Sequence, residues 1–236
     1  MTHINQLDFY ATPEHDCSYI EGKQAKTVFV DPKAEIDQEL YSELSHIGFR
    51  RSGKHIYRPH CDGCNSCVSI RIPVERYAPT RSQRRIINKN KDVTVTRADL
   101  SFSEEYFALY CRYIEQRHSD GDMYPPEQSQ FVSFLVESQQ RSYFYEFRLS
   151  CGQLIAIALV DDLDDGISAV YTFFEPSLSQ RSLGSYAILW QIQQAQQQQL
   201  QYLYLGYWVQ ECNKMNYKTN FRPMELLING RWLQAI

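Results

Sequence analysis

Three apolar runs follow one another between residues 143 and 176: YFYEFRL, QLIAIALVDDL and ISAVYTFFEP. Each is short, rich in β-branched and aromatic residues and bounded by turn residues, so each predicts a strand. Asp164-Asp165-Gly166 between the last two is a tight turn, which makes the strands antiparallel neighbours. Next come a predicted helix (182–199), a strand YLYLGYW (202–208), a short helix (211–221) and a hairpin closing on Asn229-Gly230. Upstream, SFSEEYFALYCRYIEQRH (101–118) and QSQFVSFLVES (128–138) carry apolar residues at helical spacing. The fold class is therefore α+β, a mixed and largely antiparallel sheet with flanking helices over 99–236. The acidic cluster Asp161, Asp162, Asp164 and Asp165 is expected to be a solvated tip of the hairpin.

Residues 1–98 predict a smaller, Cys-containing α+β region. KTVFVD (26–31) reads as a strand and 33–47 as a helix capped by Asp31 and ended by Gly48. FRRSGKHIYRP (49–59) reads as a hairpin turning at Ser52-Gly53. Val68–Val74 alternates as a strand, which Pro73 and Pro79 confine to an edge or end. Residues 80–91 form a basic helix or turn, and 93–96 another strand.

Charge separates this region from the rest. The 236 residues carry a net charge of −4, but Arg50–Lys91 holds eleven Lys or Arg against Asp62 and Glu75, a net of +9. The remainder therefore carries −13, the difference between −4 and +9. An acidic chain with its positive charge in one segment suits either a polyanion partner or a basic patch balanced by acidic neighbours. The same segment holds Cys61, Cys64 and Cys67 at C-x2-C-x2-C spacing. That spacing fits Zn or an iron–sulfur cluster if Cys17 or His60 supplies a fourth ligand, and equally a turn of reduced thiols. Neither a secretory signal nor an apolar window long enough to span a bilayer is evident, so a cytoplasmic protein with reduced cysteines is expected.

The passage from strand to helix at 175–190 contains Arg181, Gly184 and Tyr186 in an R-x-x-G-x-Y loop. Backbone N–H groups at such a helix start attract phosphate. In strand order and loop, residues 100–236 resemble the GNAT acyltransferases, whose loop is Q/R-x-x-G-x-G/A; Tyr186 departs from it where CoA pyrophosphate would sit.

YRPHCDGCNSCVSIRIPVERYAPTRSQRR (57–85) is similar to the signature of the aminoacyl-tRNA–protein transferases. HDCSYI (15–20), GFRRSG (48–53), RHSDGDMYPP (117–126), SLGSYAIL (182–189) and YLYLGYWVQECNKMNYKTNFRPMELL (202–227) extend the resemblance over nearly the whole chain. Arginyl-transferring relatives carry Cys-x-x-Cys where this chain has Cys17-Ser18-Tyr19-Ile20, so the resemblance favours the bacterial leucyl branch. It implies transfer of leucine from leucyl-tRNA to the α-amine of proteins beginning with Asp or Glu, a mark for degradation. It implies no required cofactor, no membrane and no oligomeric state. An arginyl donor, or a CoA-dependent GNAT acetyltransferase, is the alternative.

Roles follow from that task. Arg71, Arg81, Arg85 and Lys89, with Arg181, Gly184 and Tyr186, are expected to hold the tRNA acceptor arm and its terminal adenosine. Arg76 and Arg84 are expected to read the acceptor carboxylate. Tyr171 and Phe173 are expected to line the leucyl pocket, with Tyr207 beside them. Tyr207, Lys214, Lys218 and His118, the last with Asp120, are expected to donate or shuttle protons.

Overall fold

The computed structural model describes residues 3–235. Its centre is an eight-stranded sheet in the order β14-β13-β7-β12-β11-β10-β9-β8. The strands are β7 (Val68–Pro73), β8 (Val93–Asp99), β9 (Ser142–Leu149), β10 (Leu154–Asp162), β11 (Gly166–Phe174), β12 (Tyr202–Trp208), β13 (Glu225–Ile228) and β14 (Arg231–Gln234). Among the described residues every neighbouring pair in it is antiparallel except β11–β12, which is parallel. A four-stranded sheet, β1-β4-β6-β5, uses β1 (Phe9–Ala11), β4 (Thr27–Val30), β5 (Arg50–Ser52) and β6 (His55–Pro59), and β2 (His15–Asp16) pairs with β3 (Gln24–Ala25).

The helices are α1 (Gln38–His46), α2 (Arg81–Lys89), α3 (Glu104–Arg117), α4 (Gln128–Phe131) and α5 (Leu183–Gln197). β10 shows why the large sheet is covered on both faces. Ala156, Ala158 and Val160 join the cluster under α5, with Ala187, Leu189 and Ile192. Ile157 and Leu159, pointing the other way, join the cluster under α3, with Leu109, Tyr110 and Ile114. Alternation with period two thus sends one strand into two cores. A third, smaller core beneath α1 combines Leu40, Tyr41, Leu44, Phe49 and Ile56 with Leu163 and Tyr204.

Local chemistry sets the helix starts. Thr80 and Gln83 form a reciprocal capping box at α2, Gln83 N donating to Thr80 Oγ1 at 3.3 Å and Thr80 N to Gln83 Oε1 at 2.8 Å. Helix α1 begins at Gln38, later than expected, because Asp37 rather than Asp31 caps it, accepting from Leu40 N at 2.9 Å. The predicted helix 128–138 shrinks to one α-turn followed by a π-turn over Val132–Val136, whose apolar residues pack under α3.

Two further expectations change. The prolines do not place β7 at an edge; it lies between β12 and β13 and simply ends at Pro73. The 98/99 division falls inside β8 (Val93–Asp99), and the sheet takes β7 and nearly all of β8 from before it. Nor is the acidic cluster a solvated tip. Asp161 is fully buried and receives Arg51 through Nε and Nη2, Tyr41 Oη at 2.6 Å and Ser142 Oγ at 2.6 Å. Asp162 accepts from Tyr143 Oη and Asp165 from Tyr204 Oη. The carboxylates of Asp161, Asp162 and Asp165 fasten the hairpin to its surroundings, because β10 carries Asp161 past α1 and β5 before the turn, while Asp164 at the turn itself is exposed.

Candidate functional site

The one parallel pair in the large sheet comes apart partway along. β11 and β12 pair only over Gly166–Ser168 and Tyr202–Tyr204. Beyond that point β11 bulges at Val170, since Val160 faces Ala169 while Leu159 faces Tyr171. β12 bulges before Gly206, whose φ of +76° favours glycine. Two parallel strands that separate leave unpaired backbone and a cleft between them.

Arg50, on β5, fills the base of that cleft. Its Nη2 donates to Ala169 O at 2.7 Å, and a Cβ at position 206 would lie 3.4 Å from its guanidinium nitrogens. Its Nη1 is buried and has no hydrogen-bond partner among the described residues. Lys218, from the 3-10 segment Asn213–Asn220, reaches the same place and donates from Nζ to Tyr207 O. Burial first, and then the charge of Arg50, brings the Lys218 ammonium down to about 7. Tyr207 does not present a free hydroxyl: its Oη donates to Gly48 O at 2.6 Å, and its ring lies 6.2 Å from that of Tyr57. Burial raises the Tyr207 phenol far above its ordinary range, which keeps its proton in place on the hydrogen bond to Gly48 O.

At the mouth of the cleft the residues are aromatic. Tyr171, half-buried on β11, meets Phe134 at 5.2 Å and Tyr113 at 6.4 Å, and its Oη donates to Met123 Sδ at 3.5 Å. Phe173 is fully buried behind it, packed on Tyr110 and Phe131, so it backs the wall rather than lining it. His118 Nε2 lies 3.1 Å from Tyr113 Oη. Burial, and then the positive charges of Lys214 and Arg117, hold the His118 imidazole below its ordinary value. Lys214 Nζ binds both oxygens of Asp120 at 2.8 Å at the surface beside it. The fold therefore gathers Tyr171, His118, Asp120 and Lys214 at the mouth, and Lys218 and Tyr207 at the base.

The basic residues divide. Arg81, Arg84, Arg85 and Lys89 are exposed on α2, with Arg84 donating to Pro79 O and Lys89 to Gln180 O. Arg71 is not on that surface. Buried on β7, it donates to Glu225 at 2.8 Å and lies over the rings of Tyr202 at 3.6 Å and Trp232 at 4.3 Å, which leaves it no phosphate to hold. Arg76, half-exposed, donates to Glu225 at 3.0 Å and Gln234 at 3.1 Å; its guanidinium already has a carboxylate. Arg181 pairs with Asp92 at 2.9 Å, and Asn90 Nδ2 donates to Arg181 O, tying the end of α2 to the start of α5. Gly184 is small because a Cβ there would come 3.1 Å from Phe174. Tyr186 is buried against Phe147, so it is core and cannot stack on a base.

The fold also draws the cysteines of the N-terminal region together. Cys17, Cys61, Cys64 and Cys67 are half-buried free thiols, and Cys67 is pushed up to about 12 by burial and then by Cys17 and Cys61. Cys61 Sγ is engaged with the backbone of Lys26, accepting from its N–H at 3.4 Å. Among the described residues no three of His, Cys, Asp or Glu are arranged to hold a metal ion.

Sequence reasoning passed over Arg50 and Arg51, counting them only as charge. The available signal was their adjacency on a strand: consecutive side chains point to opposite faces, so one of the two must face inward.

The chain belongs to the arginine-tRNA-protein transferase family, which makes it an aminoacyltransferase: the model of that family's N terminus matches residues 15–85 and that of its C terminus residues 105–228. It is 57% identical over 233 residues to the aspartate/glutamate leucyltransferase of Pseudomonas putida strain W619, covering 99% of each chain. It is 54% identical over 232 residues to the protein of the same name from Marinobacter nauticus, covering 98% of each. Among solved structures, L-PGS from Bacillus licheniformis aligns with 60% of this chain and 45% of its own at a TM-score of 0.46 and 10% identity, too distant to carry an argument.

Proposed function

We propose that the chain transfers leucine from leucyl-tRNA to the N-terminal α-amine of proteins beginning with Asp or Glu, marking them for degradation by the N-end rule. The observation that carries this reading is identity above one half, end to end, with relatives named for that activity. The reaction is aminolysis of an activated ester. The acceptor nitrogen attacks the leucyl carbonyl carbon, a C–N bond forms, and the C–O bond to the terminal ribose breaks as that oxygen takes up a proton. An α-amine titrates near ~7.7–8.0, so a useful fraction is already neutral near pH 7, and orientation lowers most of the barrier.

The cleft between β11 and β12 is the place for this step. The antiparallel meander, the parting parallel pair and the covering helix α5 support the finer reading of the fold as GNAT-like, with residues 1–98 holding substrate and 99–236 carrying transfer. The leucyl side chain lies against Tyr171, Tyr113 and Met123. His118, kept neutral by its surroundings, accepts the proton lost by the amine, with Lys214 and Asp120 adjoining it. Arg81, Arg84, Arg85 and Lys89 hold the acceptor arm through its phosphates. Nothing in this scheme passes through a covalent enzyme intermediate, a metal or a cofactor. Among the described residues no helix is long and apolar enough to cross a membrane, and a leucyl-tRNA substrate supports a cytoplasmic site of action.

The test is incubation with labelled leucyl- or arginyl-tRNA and peptides beginning with Asp, Glu, Asn, Lys or Arg. Leucine should appear on the Asp and Glu peptides alone. Arginine on those peptides would reassign the donor, and leucine on the Lys or Arg peptides would overturn the acceptor.

A further inference from the structure

Two cations are buried at the base of the cleft without an acidic partner. Arg50 is 8% exposed and Lys218 9%. Ten ion pairs link other residues of the described chain, and neither of these takes part in one. Each has instead a backbone carbonyl, Ala169 O for Arg50 and Tyr207 O for Lys218. The groups that face them are the phenols of Tyr57 and Tyr207 and the thiol of Cys67, each raised by burial and so neutral near pH 7, the half-buried thiol of Cys212, and Arg58, a third cation. A buried charge without a counter-charge is costly, and two like charges together are more so. Such a pair persists where an anion that is not part of the chain completes it. We infer that Arg50 and Lys218 are the reader of the acceptor's side-chain carboxylate, at the point where β11 and β12 part.

This rests on the leucyl-transfer reading and replaces the surface arginines in it. Arg76 is already spent on Glu225, and Arg84 faces solvent on α2. A carboxylate also fits the place better than a phosphate does. It is planar and small enough for a cleft whose floor is one guanidinium, whereas the tRNA backbone meets its cations on the outside of α2. Position agrees as well. Ala169, which anchors Arg50, stands two residues before Tyr171, about 6–7 Å along a strand. An acceptor carboxylate held by Arg50 therefore leaves its α-amine on the side of the aromatic mouth, where the leucyl ester lies. Arg50 Nη1 is covered in this structure, so docking of the acceptor requires a local rearrangement around it. Lys218, only partly protonated near pH 7 because burial and Arg50 disfavour its charge, then takes up a proton as the carboxylate docks.

The experiment compares kcat/KM for Asp-, Glu-, Asn- and Gln-starting peptides in wild type, Arg50→Lys, Lys218→Met and Arg84→Gln, with leucyl-tRNA affinity measured on each. Loss of one side of a buried charge contact predicts a fall of about 100-fold or more on the Asp and Glu peptides in Lys218→Met. The Asp-to-Asn ratio should collapse, while leucyl-tRNA affinity stays within about threefold. Arg50→Lys, which keeps the charge but not the fork, should fall by less. A ratio unchanged in both variants, or one that collapses in Arg84→Gln instead, overturns the assignment. Calorimetry on the wild type avoids any folding defect: an Asp-Ala dipeptide should bind with proton uptake near pH 7 and Asn-Ala should not. Equal proton uptake for both, or none for Asp-Ala, again refutes it. A wild type that leucylates no Asp or Glu peptide would fail the functional reading itself, a different result from a wild type that leucylates and variants that keep its selectivity.

Discussion

Arg50 and Arg51 are neighbours on one strand, and they meet opposite surroundings. Arg51 points into a closed network: Asp161 takes two of its nitrogens, Gly53 O a third contact, and Tyr41 and Ser142 complete the carboxylate. Arg50 points into the cleft between β11 and β12, where it finds a carbonyl and another cation. Both are buried to a similar degree, 8% and 4% exposed. The difference between them is the presence of a counter-charge. A buried arginine with its own carboxylate is a fastener; one without is waiting for something with charge. Burial alone does not tell these apart, and neither does sequence.

The comparison can be broken most easily at Asp161. Asp161→Asn strands Arg51 as Arg50 is stranded, but with no ligand to relieve it, and should cost about 3–5 kcal/mol of unfolding free energy in denaturant titrations. Replacing Arg51 and Asp161 together by Met and Leu should recover most of that loss; if it does not, the network is more than a charge pair. A smaller effect separates Lys218 from the rest by pH. Its folded value of about 7 lies below its ordinary 10.5, so the unfolded chain binds the extra proton between those values. Wild-type stability should therefore gain on that of Lys218→Met as pH rises from about 7 to 10.5, and the deficit should be constant below 7. Parallel curves over that range would mean that Lys218 is charged in the folded protein. The smallest effect belongs to the exposed cations. Arg81→Gln and Arg85→Gln should each change stability by under ~0.5 kcal/mol, yet lower the salt slope of tRNA binding by roughly 0.7–0.9. An unchanged slope would remove α2 from the tRNA surface.

Much of the fold was legible because it is written in local pattern. The meander 142–174, the helix α5 and the hairpin at Asn229-Gly230 all rest on residues close in sequence. What was not legible depends on partners far away. Nothing near Asp161 announces Arg51, 110 residues earlier. Nothing near Arg71 announces that Glu225 and Trp232 will enclose it. The site followed the same rule. His118 and Tyr171 meet through Tyr113, and Lys218 lies beside Arg50, contacts between segments that no local spacing announces. Gly184 and Tyr186 looked like a phosphate loop because their spacing is that of one, while their contacts with Phe174 and Phe147 are those of core.

The place of β7 has a bearing on how the chain is made. Both strands that flank it come from the far end: β12 starts at Tyr202 and β13 at Glu225, whereas β7 ends at Pro73. On a ribosome adding ~5–20 residues each second, β7 emerges on the order of ten seconds before either partner. Through that interval an apolar strand has two bare edges, the condition under which nascent chains pair with the wrong neighbour. Synthesis of the first half alone would leave it so permanently, which makes a nascent-chain chaperone most useful to this protein between the appearance of Pro73 and that of Ile228.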